Sequence, residues 1–341
     1  MIRYAYSGKG FEPFEPAIGK YDREFLVSLL WSMMRIRMVQ EEMERRYRED
    51  EMKTPIHLVI GQEATSVGCC AALERKDQVF SGHRTNGNYL AKGGDLKAMM
   101  SELYCRANGC VASRGGSMHL LDKEAGYAGS SGIVAGSLPI ATGAALAARM
   151  LKQDWATMVF FGDAATEEGT LWESLNYAAL RELPVIYVCE NNFFSVCSPL
   201  EARQPKVEIY EKAASFGLHS VQVDGTNVLE VYETARSAVE RARSGKGPTF
   251  IESLAYRWRG HGGAGDDSDT GYRDPAEVEH WKQYCPIEGF YNFLAKRGQI
   301  DEPGRNALVK QIQNEVLKAF EHAISSPVPE ESDLFKHVYS D

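Results

Sequence analysis

The chain has 341 residues, 44% hydrophobic and 25% charged, the proportions of a globular protein able to bury a large core. Its 47 acidic against 38 basic residues leave a formal net charge of −9, which excludes non-specific nucleic-acid binding because no basic surplus exists to displace counterions. Seven cysteines without paired metal-ligand spacing, no charged-then-apolar leader and no apolar run of about 18 residues lead us to expect a soluble cytoplasmic protein with reduced thiols and no membrane contact.

Residues 1–20, rich in glycine, proline and aromatics, read as an irregular arm. Asp22 can cap a helix running to about residue 50, with Phe25, Leu29, Trp31, Met33, Ile36 and Met43 supplying much of its apolar surface. Arg45, Arg46 and Arg48 sit among glutamates and read as a solvated helix face. Lys53-Thr54-Pro55 marks a boundary, and residues 61–74 suggest a small-residue helix that packs closely. Val79-Phe80 is a short strand ending at Ser81-Gly82-His83-Arg84. Residues 96–104 form a short amphipathic helix. The stretch 105–137 is glycine-rich and carries Arg114, Ser117 and His119, with too many turn signals for regular structure; such a long loop is usually functional.

Residues 139–151 make a small apolar helix suited to burial or to a subunit interface. An apolar run at 158–161 then breaks at Gly162-Asp163, a helical pattern follows, and a second apolar run at 184–189 breaks at Glu190-Asn191-Asn192. That is a strand, crossover helix and parallel strand, with polar residues at the carboxyl ends where open α/β sheets bind ligands. An aspartate after one strand and an asparagine after the next bring two hard oxygen ligands to one point. Mg²⁺ needs that, since it fills the rest of its octahedron with water and substrate phosphates. A further strand at 220–223, a helix at 228–243 and a strand at 249–254 lead into a glycine-rich loop at 260–271. The last 60 or so residues are helical and charged, without visible chemistry.

The segment 157–192 resembles the thiamin diphosphate motif, in which GDG is followed further along by NN. It is most similar to the α subunits of the α2β2 2-oxoacid dehydrogenase E1 components, the pyruvate, branched-chain and acetoin dehydrogenases. The blocks GQEATSVG at 61–68, GGSMHL at 115–120, SGIVAGSLPIATGAALA at 131–147, CENN at 189–192 and GKGPTFIE at 245–252 stand in that family's order. The expected fold is a doubly wound, mostly parallel α/β sheet flanked by helices. Residues 1–55 would be an N-terminal arm and helix, 56–275 the diphosphate-binding domain, and 276–341 a C-terminal helical extension packed on it.

The resemblance implies thiamin diphosphate and Mg²⁺ as cofactors. Asp163 and Asn192 would ligate the metal, with the backbone carbonyl of Phe194 as third ligand. Gly162, Ala164 and Ala165 would let the backbone approach the diphosphate. Ala164 departs from the motif's second glycine: a Cβ costs about 1–2 kcal/mol if that residue needs φ > 0, and almost nothing if only a small side chain is required. Arg84 would hold diphosphate oxygens through its planar fork, and His83 replaces the family's aromatic neighbour. Asn86 stands where the dehydrogenases carry an active-site histidine; an amide can orient a substrate but not shuttle a proton. His261 matches the second active-site histidine, with an ordinary pKa near 6.5 suited to proton exchange at neutral pH. Arg257 would grip the diphosphate or a substrate carboxylate. Gly262 replaces the regulatory serine of mammalian members, which excludes phosphorylation there.

His119 would either line the site entrance or satisfy a loop carbonyl. The segment holding Gly132 would accept the cofactor's 4′-amino hydrogen, with Val134 wedged under its rings. The glutamate that activates the cofactor lies, in split enzymes of this kind, on a β chain that also grips the pyrimidine; Glu63 is not that residue. The partners implied are therefore a β subunit in an α2β2 assembly and, where the acyl unit goes to lipoyl, a lipoyl acyltransferase. The reaction implied is decarboxylation of a 2-oxoacid and transfer of the acyl unit. Carbon–carbon bond formation, favoured by Asn86, and a non-catalytic partner role, suggested by Ala164 with Asn86, are the alternatives.

Overall fold

The computed structural model describes residues 10–267, 270–336 and 338–339. Within the arm expected to be irregular, Glu12–Lys20 form a 3₁₀ helix, and residues 1–9 lie outside the described ones. Asp22 caps α1 (Arg23–Tyr47) by accepting the Phe25 N–H at 2.7 Å. Leu26, Leu29, Leu30, Met33, Ile36, Val39 and Met43 form its buried stripe. The helix ends short of residue 50, and Asp50 beyond it takes a left-handed φ of 55°. α2 (Glu63–Ala71) is buried along almost its whole length. Gly68 explains its close packing: a Cβ there would lie 2.7 Å from Val231 Cγ1 and 2.9 Å from the Val228 carbonyl.

β1 (Gln78–Ser81), α3 (Asn86–Ala91), α4 (Leu96–Leu103), β2 (Tyr127–Ser130), α5 (Ser137–Met150) and β3 (Thr157–Gly162) follow. After β3 the chain makes a 3₁₀ turn, Asp163–Glu167, and α6 (Gly169–Leu180) begins only then. No α-helix therefore starts directly at Gly162, as the sequence suggests, and the amides of this turn take that place. β4 (Val185–Asn191) leads to the hairpin β5 (Phe194–Ser195) and β6 (Ser198–Pro199), then α7 (Leu200–Arg203) and α8 (Ile209–Ala214). β7 (His219–Asp224), α9 (Val228–Arg243) and β8 (Thr249–Leu254) complete the sheet, and α10 (Pro275–Lys282), α11 (Pro286–Ala295), α12 (Glu302–Ser325) and a 3₁₀ helix, Glu331–Phe335, follow.

The six-stranded sheet has the order β2-β1-β3-β4-β8-β7, and every pairing in it is parallel. β3 and β4 are buried nearly end to end, which is how strands read when both sheet faces are covered. α5 packs on β1, β3 and β4, and α9 on β4, β7 and β8; α2 backs α9, and α1 backs α2. α12 packs on α4 and α1. No two cysteines are bridged, and no helix among the described residues is long and apolar enough to cross a membrane.

β2 corrects the expectation of an irregular 105–137. Its sequence, YAGS, has little strand propensity; it pairs because β1 offers a free edge, with Val79 N–H donating to Gly126 O at 2.9 Å. From β1 the chain steps outward to β2, and from β3 it steps the other way to β4. The reversal between β1 and β3 is the switch point where a doubly wound sheet opens a crevice at its carboxyl ends.

Candidate active site

A pocket of about 980 Å³, open solvent at its mouth included, occupies that crevice. Ser81, Gly82, His83 and Arg84 line it from the end of β1, Gly162, Asp163, Ala164 and Ala165 from β3, and Glu190, Asn192 and Phe194 from β4 and the residues after it. Gly132 and Val134 come from the segment after β2, and His261 from the loop after β8. These lining positions include most of the residues that the sequence nominates.

The oxygen donors sit together. The Asp163 carboxylate is fully buried at the end of β3; burial raises its pKa, against the pull of Arg203 on α7, which forms an ion pair with it. Arg203 also reaches Glu167. Asn192 donates from Nδ2 to Gln62 Oε1 at 3.1 Å, and its Oδ1 accepts the Phe194 N–H at 3.4 Å. Between them Phe193 takes a left-handed φ of 68°, turning the chain so that Asn192 and Phe194 both line the pocket. A carboxylate, an amide oxygen and a main-chain carbonyl are the hard donors a Mg²⁺ site uses. In this structure the Arg203 guanidinium supplies the positive charge with which the buried carboxylate pairs.

The surroundings also suit a diphosphate. A Cβ on Gly162 would meet nothing within 4 Å, so the backbone there is open to a ligand. Ala164 lies in the 3₁₀ turn and is not among the residues with positive φ, so its Cβ carries no left-handed strain. Gln62 Nε2 and His57 Nδ1 are buried without a hydrogen-bond partner, and both residues line the pocket. Arg84 is buried, and burial beside Arg257 pushes it down to about 9, which leaves it cationic at neutral pH. Its Nη1 donates to Leu58 O at 2.5 Å and its Nη2 to His261 O at 3.0 Å, so its remaining N–H groups are those a ligand can use.

The described residues 31–267 and 270–332 carry the whole of this site, and a family model described as "dehydrogenase E1 component" matches residues 31–332. The chain belongs to the dehydrogenase E1 component family. The alpha subunit of acetoin:2,6-dichlorophenolindophenol oxidoreductase of Bacillus subtilis (strain 168) is 36% identical over 313 residues, 91% of this chain and 93% of that protein. The pyruvate dehydrogenase E1 component subunit alpha of Rhizobium meliloti (strain 1021) is 36% identical over 323 residues, 94% of this chain and 92% of that one. The chloroplastic pyruvate dehydrogenase E1 component subunit alpha-3 of Arabidopsis thaliana is 39% identical over 302 residues, 86% of this chain and 70% of that one. Within the family, this chain is an alpha subunit of a thiamin diphosphate-dependent, 2-oxoacid dehydrogenase-type E1 enzyme, and such a subunit acts with a partner.

Three nominated residues of this E1 alpha subunit lie elsewhere. Asn86 is buried in α3; its Nδ2 faces Met43 Sδ at 3.9 Å, its Oδ1 has no partner, and it does not line the pocket. The turn after Arg84 carries the chain into α3 and directs Asn86 into the packing beneath α1. Arg257 is likewise outside the pocket wall. It donates to Arg259 O (2.9 Å), Asp267 Oδ2 (3.2 Å), Val196 O (2.6 Å) and the Tyr272 hydroxyl (2.7 Å), tying loops together rather than facing a ligand. His119 does not line the pocket but stands at its rim. Its Nδ1 lies 3.1 Å from Gly115 O and its Nε2 accepts the Gly132 N–H at 3.2 Å, so it staples the glycine-rich loop to the pocket rim.

His261 does line the pocket, but not in the state that an ordinary pKa implies. Burial and the nearby Arg84 charge push His261 down to about 4, His57 to about 3 and His83 to about 2. All three are neutral at pH 7. Because these values lie below the ordinary 6.5, the unfolded chain binds more protons between pH 6.5 and about 2, and stability present above that window is lost as pH falls through it. His83→Phe removes one such group, so thermal melts at about pH 7 and pH 5 should show a smaller acid-induced drop than in wild type. Equal drops would mean that the imidazole charges without penalty.

Sequence reasoning passed over His57, Gln62, Glu190 and Arg203. Gln62 and Glu190 fall inside the GQEATSVG and CENN blocks, which is a signal of a kind. His57 and Arg203 carry none, because only the folded chain brings them to the pocket.

Proposed function

We propose that this chain supplies the diphosphate- and Mg²⁺-binding half of an active site completed by a β subunit in an α2β2 assembly. The enzyme decarboxylates a 2-oxoacid and passes the acyl unit to lipoyl, on a lipoyl acyltransferase, or to another acceptor. The observation that carries this reading is that Asp163, Asn192 and Phe194 line one pocket with Arg84 at the sheet's switch point. When bound, thiamin diphosphate supplies the carbanion chemistry of the reaction. The chain's own residues bind and orient. Asp163 and the two neutral oxygens would hold the metal, Arg84 and the Gly162–Ala165 backbone the diphosphate, and Val134 would position the rings. His261, which lines the same pocket, would stand at the reacting end when the cofactor is bound.

Exposed apolar side chains support a partner. Ile133 is 72% exposed at the pocket mouth beside Val134, and Ile140, Met150 and Leu151 on or next to α5 join Tyr177 and Leu180 on α6 in an uncovered apolar face. The proposed compartment is the cytoplasm, supported by the unbridged cysteines. Carbon–carbon bond formation loses the support of Asn86, which lies outside the pocket, and keeps only the resemblance of EEGTLWES at 167–174 to the corresponding transketolase segment.

The chain alone is expected to show no turnover, because the activating glutamate and the pyrimidine pocket are assigned to the partner. The assay compares single chain and co-expressed pair on a panel of 2-oxoacids and acetoin, with 2,6-dichlorophenolindophenol as electron acceptor and, in parallel, with lipoyl domain. Robust activity from the single chain would overturn the split site. Dye reduction without lipoyl acylation would assign the acyl unit to another acceptor.

A further inference from the structure

We propose that in the cofactor-free chain His57, His83 and His261 together form a binding site for a first-row transition-metal dication of the Zn²⁺ type, distinct in donor chemistry from the oxygen set around Asp163. The three imidazoles arrive from three separate segments: before α2, after β1 and after β8. Each offers a ring nitrogen, and these nitrogens all lie within 4.8 Å of one another. The ring centroids are 4.7, 5.2 and 5.4 Å apart. All three rings line the same pocket.

Their hydrogen bonding points to a ligand. His119, a histidine whose role is structural, spends both ring nitrogens on loop groups. By contrast, none of the three clustered rings has a hydrogen-bond partner among the described residues, and His57 Nδ1 is buried with nothing to bond. Three imidazoles beside open space are the donor set of sites that hold Zn²⁺ with a fourth position free. Imidazole suits Zn²⁺, Cu²⁺ and Ni²⁺, while Mg²⁺ takes oxygen, so one pocket would sort two kinds of metal by donor type. Arg84 opposes a second cation nearby. Its guanidinium, however, is bonded to the carbonyls of Leu58 and His261 and leaves the ring nitrogens free, and the Glu190 carboxyl lines the same pocket. The repulsion weakens the site without blocking it.

The test titrates the full-length chain with Co²⁺ alone, in the absence of thiamin diphosphate, so it stands or falls apart from the cofactor reading. Wild type should take up one Co²⁺ with the visible bands of a nitrogen-ligated ion of low coordination number. His83→Phe, which keeps a ring but no nitrogen, and His57→Gln should each weaken binding by at least about 10-fold, the lower end of what even outer-shell partners cost. His219→Gln, remote on β7, should leave it unchanged. A second measurement needs no variant: Co²⁺ should protect His57, His83 and His261 of wild type from acylation by diethyl pyrocarbonate, mapped by mass spectrometry. No uptake by wild type, uptake that survives both substitutions, strong sulfur-to-metal absorption marking a cysteine site, or unprotected histidines would each overturn the proposal.

Discussion

Replacing Asp163 by alanine is expected to abolish the Mg²⁺-dependent binding of thiamin diphosphate to the assembled enzyme. Asp163 is the only charged group among the proposed metal ligands, and its carboxylate is fully buried at the end of β3. Asn192 and the Phe194 carbonyl are neutral and leave a dication uncompensated. The same substitution takes one of two carboxylates from Arg203, which would then stand beside the incoming metal with Glu167 as its remaining acidic partner. Removing one member of a buried charge pair costs about 3–5 kcal/mol, so affinity should fall by at least about 100-fold. Titration of cofactor-stripped enzyme with thiamin diphosphate, with and without Mg²⁺, measures this. Wild-type affinity in the variant would sink the site assignment.

Arg257→Met is expected to destabilise the chain by about 3–5 kcal/mol even with no cofactor present. The guanidinium is buried and bonds four groups from three stretches of chain: Val196 O beside the β5–β6 hairpin, Arg259 O, and Asp267 with Tyr272 in the loop after β8. Met fills much of its volume but satisfies none of those acceptors. Asp267 keeps Arg273, at 2.6 Å, so the loop should loosen rather than unfold outright. His261 and Val196 sit on opposite sides of this tie and both line the pocket, so cofactor affinity should weaken as a consequence. Denaturant unfolding of the cofactor-free variant is the deciding measurement. Unchanged stability together with lost cofactor affinity would return Arg257 to a direct ligand role.

Much of the architecture was legible without coordinates, because it depends on local signals. Continuous apolar runs at 158–161 and 184–189, separated by a helical pattern, read as buried parallel strands, and the polar residues at their ends then fall along one edge. That reasoning also located Asp163 and Asn192. Asp22 as a cap and Gly68 as a point of close helix contact likewise follow from residue type and spacing. β2 escaped notice since YAGS has no periodicity; it becomes a strand by borrowing β1's edge. The order of the glycine-rich loop was equally invisible. It comes from the buried Glu102, whose carboxylate accepts the N–H groups of Val111, Ser113, Gly115 and Gly116 at 2.8–3.1 Å.

By itself, then, the sequence determined the kind of sheet, the edge at which the pocket opens and the oxygen-bearing residues that stand there. Tertiary structure decided which side chains reach that edge. Asn86 turned into the packing, Arg257 and His119 became ties between loops, and His57, Gln62 and Arg203 entered the pocket from distant segments. It also decided their charge states, since the neutral histidine cluster owes its lowered pKa values to burial beside Arg84. The physical reason is common to both. Strand and helix patterns are written in spacings of a few residues, whereas a side chain's direction, partners and protonation depend on groups tens to hundreds of positions away, as with Arg84 and His261 at a separation of 177.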